Sequence, residues 1–192
     1  VMLDAALTFG KMAQERSTII KDLALEDQPF ALCTLHRAEN VDRLTTLEWI
    51  VEELNQVSKT IKLVLPLHPR TKSKLEQFSL FEKLSSKIKL IEPVGFLDVL
   101  SLQQSSSIII TDSGGMQKEA FFQNKPCVTM RTETEWVELL YGGHNRLAKP
   151  MVDPISQKVD EALNAILDWS VELYGDGQSS QTIAKALLER ST

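Results

Sequence analysis

The 192-residue chain is short of several features that would assign it at once. It has two cysteines, Cys33 and Cys127, each inside an apolar run. That excludes a disulfide framework and a metal-type cysteine pair, and it fits buried free thiols in a reducing compartment. No stretch reaches the ~18 apolar residues of a membrane helix. No secretory leader is expected, because Val1-Met2-Leu3-Asp4 already reads as helix. A cytoplasmic location is therefore expected. Basic residues are in deficit, with 21 Lys+Arg against 26 Asp+Glu and a formal net charge of -5, which argues against a nucleic-acid partner. Repeats, low-complexity tracts and charge blocks are missing, as are Gly-x-Gly-x-x-Gly and Walker loops. No His/Cys/Asp group has metal-ligand spacing, so no metal is expected.

What is present is an alternation. A hydrophobic content of 43% supports one sizeable core. Short apolar runs at 30–35, 61–67, 88–91, 107–111 and 127–130 read as strands, nearly continuous in the way of strands covered on both faces. Between them lie helical patterns: Leu44, Leu47, Val51 and Leu54 at helical spacing, then 96–104, 115–123 and 134–141, and a further helix marked by Val159, Ala162, Leu163 and Ile166. Repeated β-α-β implies a Rossmann-like, doubly wound parallel sheet. Residues 1–25 read as a linking helix and 26–173 as the α/β core. After the break at Tyr174-Gly175-Asp176-Gly177, residues 174–192 read as a closing helix capped by Ser179 or Ser180.

Ligands of such sheets bind beyond the carboxyl ends of the strands. There the chain places His36-Arg37-Ala38-Glu39-Asn40, His68-Pro69-Arg70, Glu92-Pro93, Thr111-Asp112-Ser113-Gly114-Gly115 and Arg131-Thr132-Glu133-Thr134-Glu135. Two histidines and three arginines thus share one rim. Gly114 and Gly115 let the backbone approach a ligand closely, and the first N–H groups of the following helix favour an anion. Glu119, one turn in, suits a pair of ribose hydroxyls. A plain turn with Asp112 or Ser113 as helix cap is the alternative. His36 fits general acid/base work near neutrality, a hydrogen bond to a phosphate, or a capping role for the next helix. His68, before Pro69, has the same alternatives and leans towards binding or a domain contact. Glu39 and Asn40 bind a ligand or simply hold their loop, and Arg131 binds one or pairs with Glu133 or Glu135. Trp136 reads as packing, and His144, after Gly142-Gly143, as a surface turn residue.

Taken together these strand ends resemble the non-hydrolysing bacterial UDP-N-acetylglucosamine 2-epimerases. The Thr111-to-Ala120 block, the His36-to-Asn40 block, Leu67-His68-Pro69, Glu92-Pro93 and Arg131 with Thr134-Glu135 carry the likeness, in order and spacing, over essentially the whole chain. The resemblance implies the C-terminal half of a GT-B fold, with the N-terminal half absent from this chain. That missing half would supply an arginine motif and catalytic carboxylates, and the full-length enzyme would be a homodimer. It implies conversion of UDP-N-acetylglucosamine to UDP-N-acetylmannosamine by elimination and re-addition of UDP, without a cofactor. Carried over by position, His36 would be catalytic. Ser113, Gly114 and Gly115 would hold the diphosphate and Glu119 the ribose. The backbone near Val94 and the Val99 side chain would meet the uracil. His68 and Arg37 would face the sugar or an allosteric substrate molecule, and Glu39, Asn40 and Arg131 complete the set of expected binding residues.

The chain also departs from the family pattern. Many members have arginine and proline where Trp136 and Val137 stand, and an aromatic residue where Val99 stands. The Thr-Glu-Trp-Val-Glu form is closer to epimerases of modified UDP-sugars such as UDP-diacetamido-glucuronate. Two other readings are the donor-binding half of a GT-B glycosyltransferase, which would need an acceptor site, and a non-catalytic nucleotide-binding module, which would have no upstream domain.

Overall fold

A computed structural model describes residues 1–190. In chain order the elements are α1 Met2–Arg16, α2 Ile19–Asp22, β1 Phe30–Thr34, α3 Ala38–Val41, α4 Leu44–Val57, β2 Lys62–Pro66, α5 Pro69–Gln77, α6 Phe81–Ser85 and β3 Lys89–Ile91. Then come α7 Phe96–Ser105, β4 Ile108–Thr111, α8 Gly114–Phe122, β5 Cys127–Thr129, α9 Val137–Tyr141, β6 Asn145–Leu147, α10 Ile155–Leu163 and α11 Ser179–Arg190. Residues 191–192 of the expected closing helix lie outside the described residues.

All strand pairs are parallel, in the order β3-β2-β1-β4-β5-β6. This is the expected Rossmann-like doubly wound sheet. The order reverses between β1 and β4, and such a switch point opens a crevice at the carboxyl edge. Side chains alternate across the sheet. Ala31, Cys33, Leu63, Leu65, Ile108 and Ile110 join the core under α4, α5, α6 and α10, whereas Phe30, Leu32, Val64 and Ile109 join the core under α2, α7 and α8. Each buried aliphatic side chain contributes ~1.5–3 kcal/mol. In α4 the buried stripe is Leu47, Ile50, Val51, Leu54 and Val57, while Leu44 at the helix start stays exposed.

Several boundaries differ from expectation. The helix expected over 1–25 breaks at Ser17, whose extended backbone ends α1. The Ser17 hydroxyl donates to Asp98 at 2.6 Å and accepts from the Ile19 N–H, so a tertiary bond to α7 wins over continued helix. Helix α1 packs on α7 through Ala6, Gly10 and Ala13, and a Cβ at Gly10 would meet Gln104 Nε2 at 2.8 Å. Helix α10 stops at Leu163, which leaves Ile166 exposed. Helix α9 starts at Val137 rather than Thr134, because the Thr134 hydroxyl and the Trp136 N–H close a turn ahead of it. Helix α11 starts at Ser179, so both serines stand in its first turn: Asp4 of α1 accepts from the Ser180 N–H at 3.2 Å, and the Val1 ammonium donates to the Ser179 hydroxyl.

His144 is the clearest correction. It is buried, with Nε2 at 2.8 Å from the Asp168 carbonyl and its ring edge-on to Phe121 and tilted on Trp169. A Cβ at Gly142 would lie 2.4 Å from the His144 ring, so glycine there makes room for the histidine rather than marking a surface turn. β6, unforeseen, follows at once. Two of its three residues are polar, and Asn145 is buried only because Thr129 and Gln117 satisfy its amide.

Candidate functional site at the switch point

A cavity of about 360 Å³ opens where β1 and β4 separate. Thr34, Leu35 and His36 line it from the end of β1, Pro66 and His68 from β2, Pro93 and Val94 from the loop after β3, Val99 from α7, and Ser113 and Met116 from the start of α8. Five of the residues expected from the sequence therefore meet in one space: His36, His68, Val94, Val99 and Ser113.

Asp112 organises one wall. Its carboxylate is fully buried and accepts from the backbone N–H groups of His36 and Arg37 at 3.0 and 2.8 Å, from Asn40 Nδ2 at 3.2 Å, and from His36 Nδ1 at 3.0 Å. Burial alone would raise its pKa. The His36 ring and the two backbone donors outweigh that, so the group stays below its ordinary carboxylate value. The same hydrogen bond, first among its causes, raises the pKa of His36. With Nδ1 committed as donor, neutral His36 carries its lone pair on Nε2. The sequence motif contains Asp112, yet its reading as a helix cap missed this role. The cap is Ser113, whose hydroxyl accepts from the Met116 N–H at 3.5 Å.

His68 does cap a helix: Nδ1 accepts from the Arg70 N–H at 3.1 Å at the start of α5. Its ring also faces His36, with centroids 5.6 Å apart. It is both a cap and a cavity wall.

Helix α8 begins at the cavity mouth. Gly114 and Gly115 both have ordinary negative φ, and a Cβ on either would make only van der Waals contacts of 3.7–3.9 Å. The fold itself does not demand glycine at either position. What the missing side chains leave open is the approach to the first N–H groups of α8, which have no intrahelical acceptor. Glu119 accepts from Gln103 Nε2 at 2.7 Å, and Gln103 is fully buried. Sequence reasoning missed Gln103, since a glutamine in an apolar helix gives no signal of its partner.

The remaining expected residues lie to one side. Glu39, Asn40 and Arg131 line a neighbouring recess of about 290 Å³ with Arg43, Thr132 and Met151. Asn40 is buried and also donates to the Met130 carbonyl, so it fastens α3 to the chain just past β5. Arg131 makes a two-pronged pair with Glu135 at 2.8 and 3.0 Å, which holds the Glu135 carboxyl at about 2. Arg37 lies 3.7 Å from Glu39. Arg70, the third rim arginine, is bound to Asp42. The rim is thus divided between two recesses, and much of its positive charge is already matched.

A doubly wound domain with a glycine-opened helix start at its switch point defines a nucleotide-binding class of fold. The particular family follows from comparison. The chain belongs to the UDP-N-acetylglucosamine 2-epimerase family, whose model matches residues 1–188. It is 46% identical over 188 residues to the UDP-2,3-diacetamido-2,3-dideoxy-D-glucuronate 2-epimerase of Pseudomonas aeruginosa, covering 97% of this chain and 51% of that protein. It is 37% identical over 193 residues to the UDP-N-acetylglucosamine 2-epimerase of Methanocaldococcus jannaschii, covering 97% and 52%. It superposes on the crystal structure of the M. jannaschii enzyme in complex with UDP-GlcNAc and UDP with a TM-score of 0.89 at 36% identity, over 98% of this chain and 53% of that one. The chain spans about half the length of these relatives. Among the described residues no helix is long and apolar enough to cross a membrane.

Proposed function

We propose that this chain is the C-terminal, nucleotide-binding half of a UDP-sugar 2-epimerase, residues 1–192 forming one domain of a two-domain GT-B enzyme. The observation that carries the reading is the joining of three things in one place: a cavity at the switch point, a glycine-opened helix start at its mouth, and an Asp112-anchored imidazole in its wall. In this reading the cavity between Val94 and Val99 takes the uracil and Glu119 the ribose hydroxyls. Ser113, Gly114 and Gly115 take the diphosphate through N–H groups and the helix dipole, the latter worth only ~0.3–1 kcal/mol. His36 faces the sugar side, with His68 and Arg37 beside it and Glu39, Asn40 and Arg131 at its edge.

The chemistry follows from the ligand. Breaking the C1–O bond to UDP, with loss of the C2 proton to a base, leaves a glycal and free UDP. UDP then adds back at C1 while a proton returns to C2 on the other face, so the sum is an inversion at C2. His36, with Nε2 free and a pKa raised by Asp112, is suited to exchange a proton in that cycle. The carboxylates for the C2 proton belong to the other half of the protein. No cofactor is required by this balance. The proposed assembly is a homodimer of the full-length chain. The proposed location is the cytoplasm, which suits the free, buried thiols of Cys33 and Cys127.

The main substrate reading is UDP-N-acetylglucosamine, giving UDP-N-acetylmannosamine. One observation favours a second, a modified sugar of the UDP-diacetamido-glucuronate kind: the 46% identity to the P. aeruginosa enzyme named for that substrate exceeds the 37% to the M. jannaschii enzyme. Calorimetry with UDP tests the site: the parent chain is expected to bind, and Ser113→Tyr and Glu119→Ala to bind more weakly. Unchanged affinity in both variants would sink the assignment. Incubating the full-length protein with each UDP-sugar in deuterated water tests the reaction, since label at C2 identifies both chemistry and substrate.

A further inference from the structure

Trp136 lies outside the binding set, yet its side chain reaches the phosphate turn. Its indole Nε1–H donates to the Gly114 carbonyl at 2.8 Å. Gly114 is the first residue of α8, and its carbonyl shares a rigid peptide plane with the Gly115 N–H. Fixing the carbonyl therefore fixes the direction of that N–H, which points the opposite way, out of the helix start. This matters more here than at an ordinary helix. Two consecutive glycines leave the backbone at its most permissive, and the side-chain cap from Ser113 is long, at 3.5 Å. The indole is itself held. Lys118 Nζ sits 4.3 Å above the Trp136 ring and 4.3 Å from the Tyr174 ring, and those two rings meet edge to face at 6.4 Å. The Tyr174 hydroxyl donates to Glu138 at 2.6 Å. The Trp136 backbone N–H is tied to the Thr134 hydroxyl, and that hydroxyl donates to Gln117 of α8. Trp136 is thus braced from α8, from the turn before α9 and from the Tyr174 segment, with its one polar atom aimed at Gly114.

We propose that Trp136 is a positioning residue for diphosphate recognition: its indole N–H orients the Gly114–Gly115 peptide so that the Gly115 N–H is presented to the anion. This rests on the nucleotide reading given above. It sets Trp136 apart from a packing residue, because the ring alone is not sufficient and the N–H is required.

The test is Trp136→Phe, which keeps an aromatic ring for Lys118 and Tyr174 but removes the donor. Affinities of this chain for UDP and for uridine are measured by calorimetry and NMR titration, with a thermal melt of each protein. Trp136→Phe is expected to lose about fivefold in affinity for UDP, the worth of one hydrogen bond. It should keep its affinity for uridine, which has no diphosphate. Trp136→His, which retains a ring N–H, should recover part of the loss and serves as the second variant if the first folds poorly. UDP binding to Trp136→Phe as tight as to the parent overturns the proposal, as does an equal loss for UDP and uridine. Failure of the parent to bind UDP removes the nucleotide reading itself, a distinct outcome.

Discussion

His36 and His68 face each other across the cavity with rings 5.6 Å apart, and they use the same ring atom in opposite ways. His36 Nδ1 donates to the Asp112 carboxylate, whereas His68 Nδ1 accepts the Arg70 N–H. The remaining nitrogens are therefore unlike: a neutral His36 offers a lone pair at Nε2, and a neutral His68 carries a hydrogen there. Two histidines, each following a strand end, come to offer an acceptor and a donor at Nε2 because one backs onto a buried carboxylate and the other onto a helix start. The difference lies in the second partner, not in the imidazole.

Breaking that difference at its source has the largest expected effect. Asp112→Asn turns one carboxylate oxygen into an amide nitrogen facing backbone donors. A net loss of ~1–3 kcal/mol in unfolding free energy is expected for the unsatisfied buried groups, measurable by denaturant titration. His36 also loses the partner that fixes its tautomer, so full-length activity should fall by about 10²-fold or more. Ring NMR signals of His36 should move while those of His68 stay. Movement of both would mean that the two rings share one network rather than two.

A smaller effect comes from pH. His36 has a raised pKa in the fold, so its pairing stabilises fully below the ordinary histidine value and is lost as pH rises through the raised one. Asp112 has a lowered pKa, so its contribution is present above the ordinary carboxylate value and is lost as pH falls through the lowered one. The pair is thus strongest between those limits. The His36 side chain is 40% exposed, so screening should keep its share under about 1 kcal/mol. Thermal midpoints of the parent and His36→Gln across that range should converge on the alkaline side. A difference that stays constant with pH would show that the ion pair adds nothing to stability.

The same contrast marks how far the sequence could be read. β1 to β5 were legible because their apolar runs are covered on both faces, and the order of strand ends placed His36, His68 and Ser113 on one edge. β6 was not, since a three-residue strand with Asn145 and Arg146 carries almost no apolar signal, and its place is set by Gln117 of α8 and Thr129 of β5. His144 was misread for a similar reason: its burial depends on Asp168 and Trp169, more than 20 residues on. Within the site, motifs named the residues but not their partners. Asp112, Gln103 and the Trp136 indole act through contacts distant in the chain: 16 positions between Gln103 and Glu119, 22 between Trp136 and Gly114, and 76 between His36 and Asp112. Composition and local spacing hold no record of these.

The smallest effect separates the two roles of His68. His68→Ala removes both the cap on α5 and the Nε2 hydrogen, and a missing cap costs ~1 kcal/mol. His68→Asn keeps a side-chain oxygen able to accept the Arg70 N–H, so its thermal midpoint should stay near that of the parent. If the Nε2 hydrogen meets the sugar or diphosphate, both variants should lose a similar few-fold in the full-length reaction although only the alanine variant is less stable. Steady-state rates beside melting curves make the distinction. Full activity in His68→Asn would reduce His68 to a cap and leave His36 the sole working imidazole of the pair.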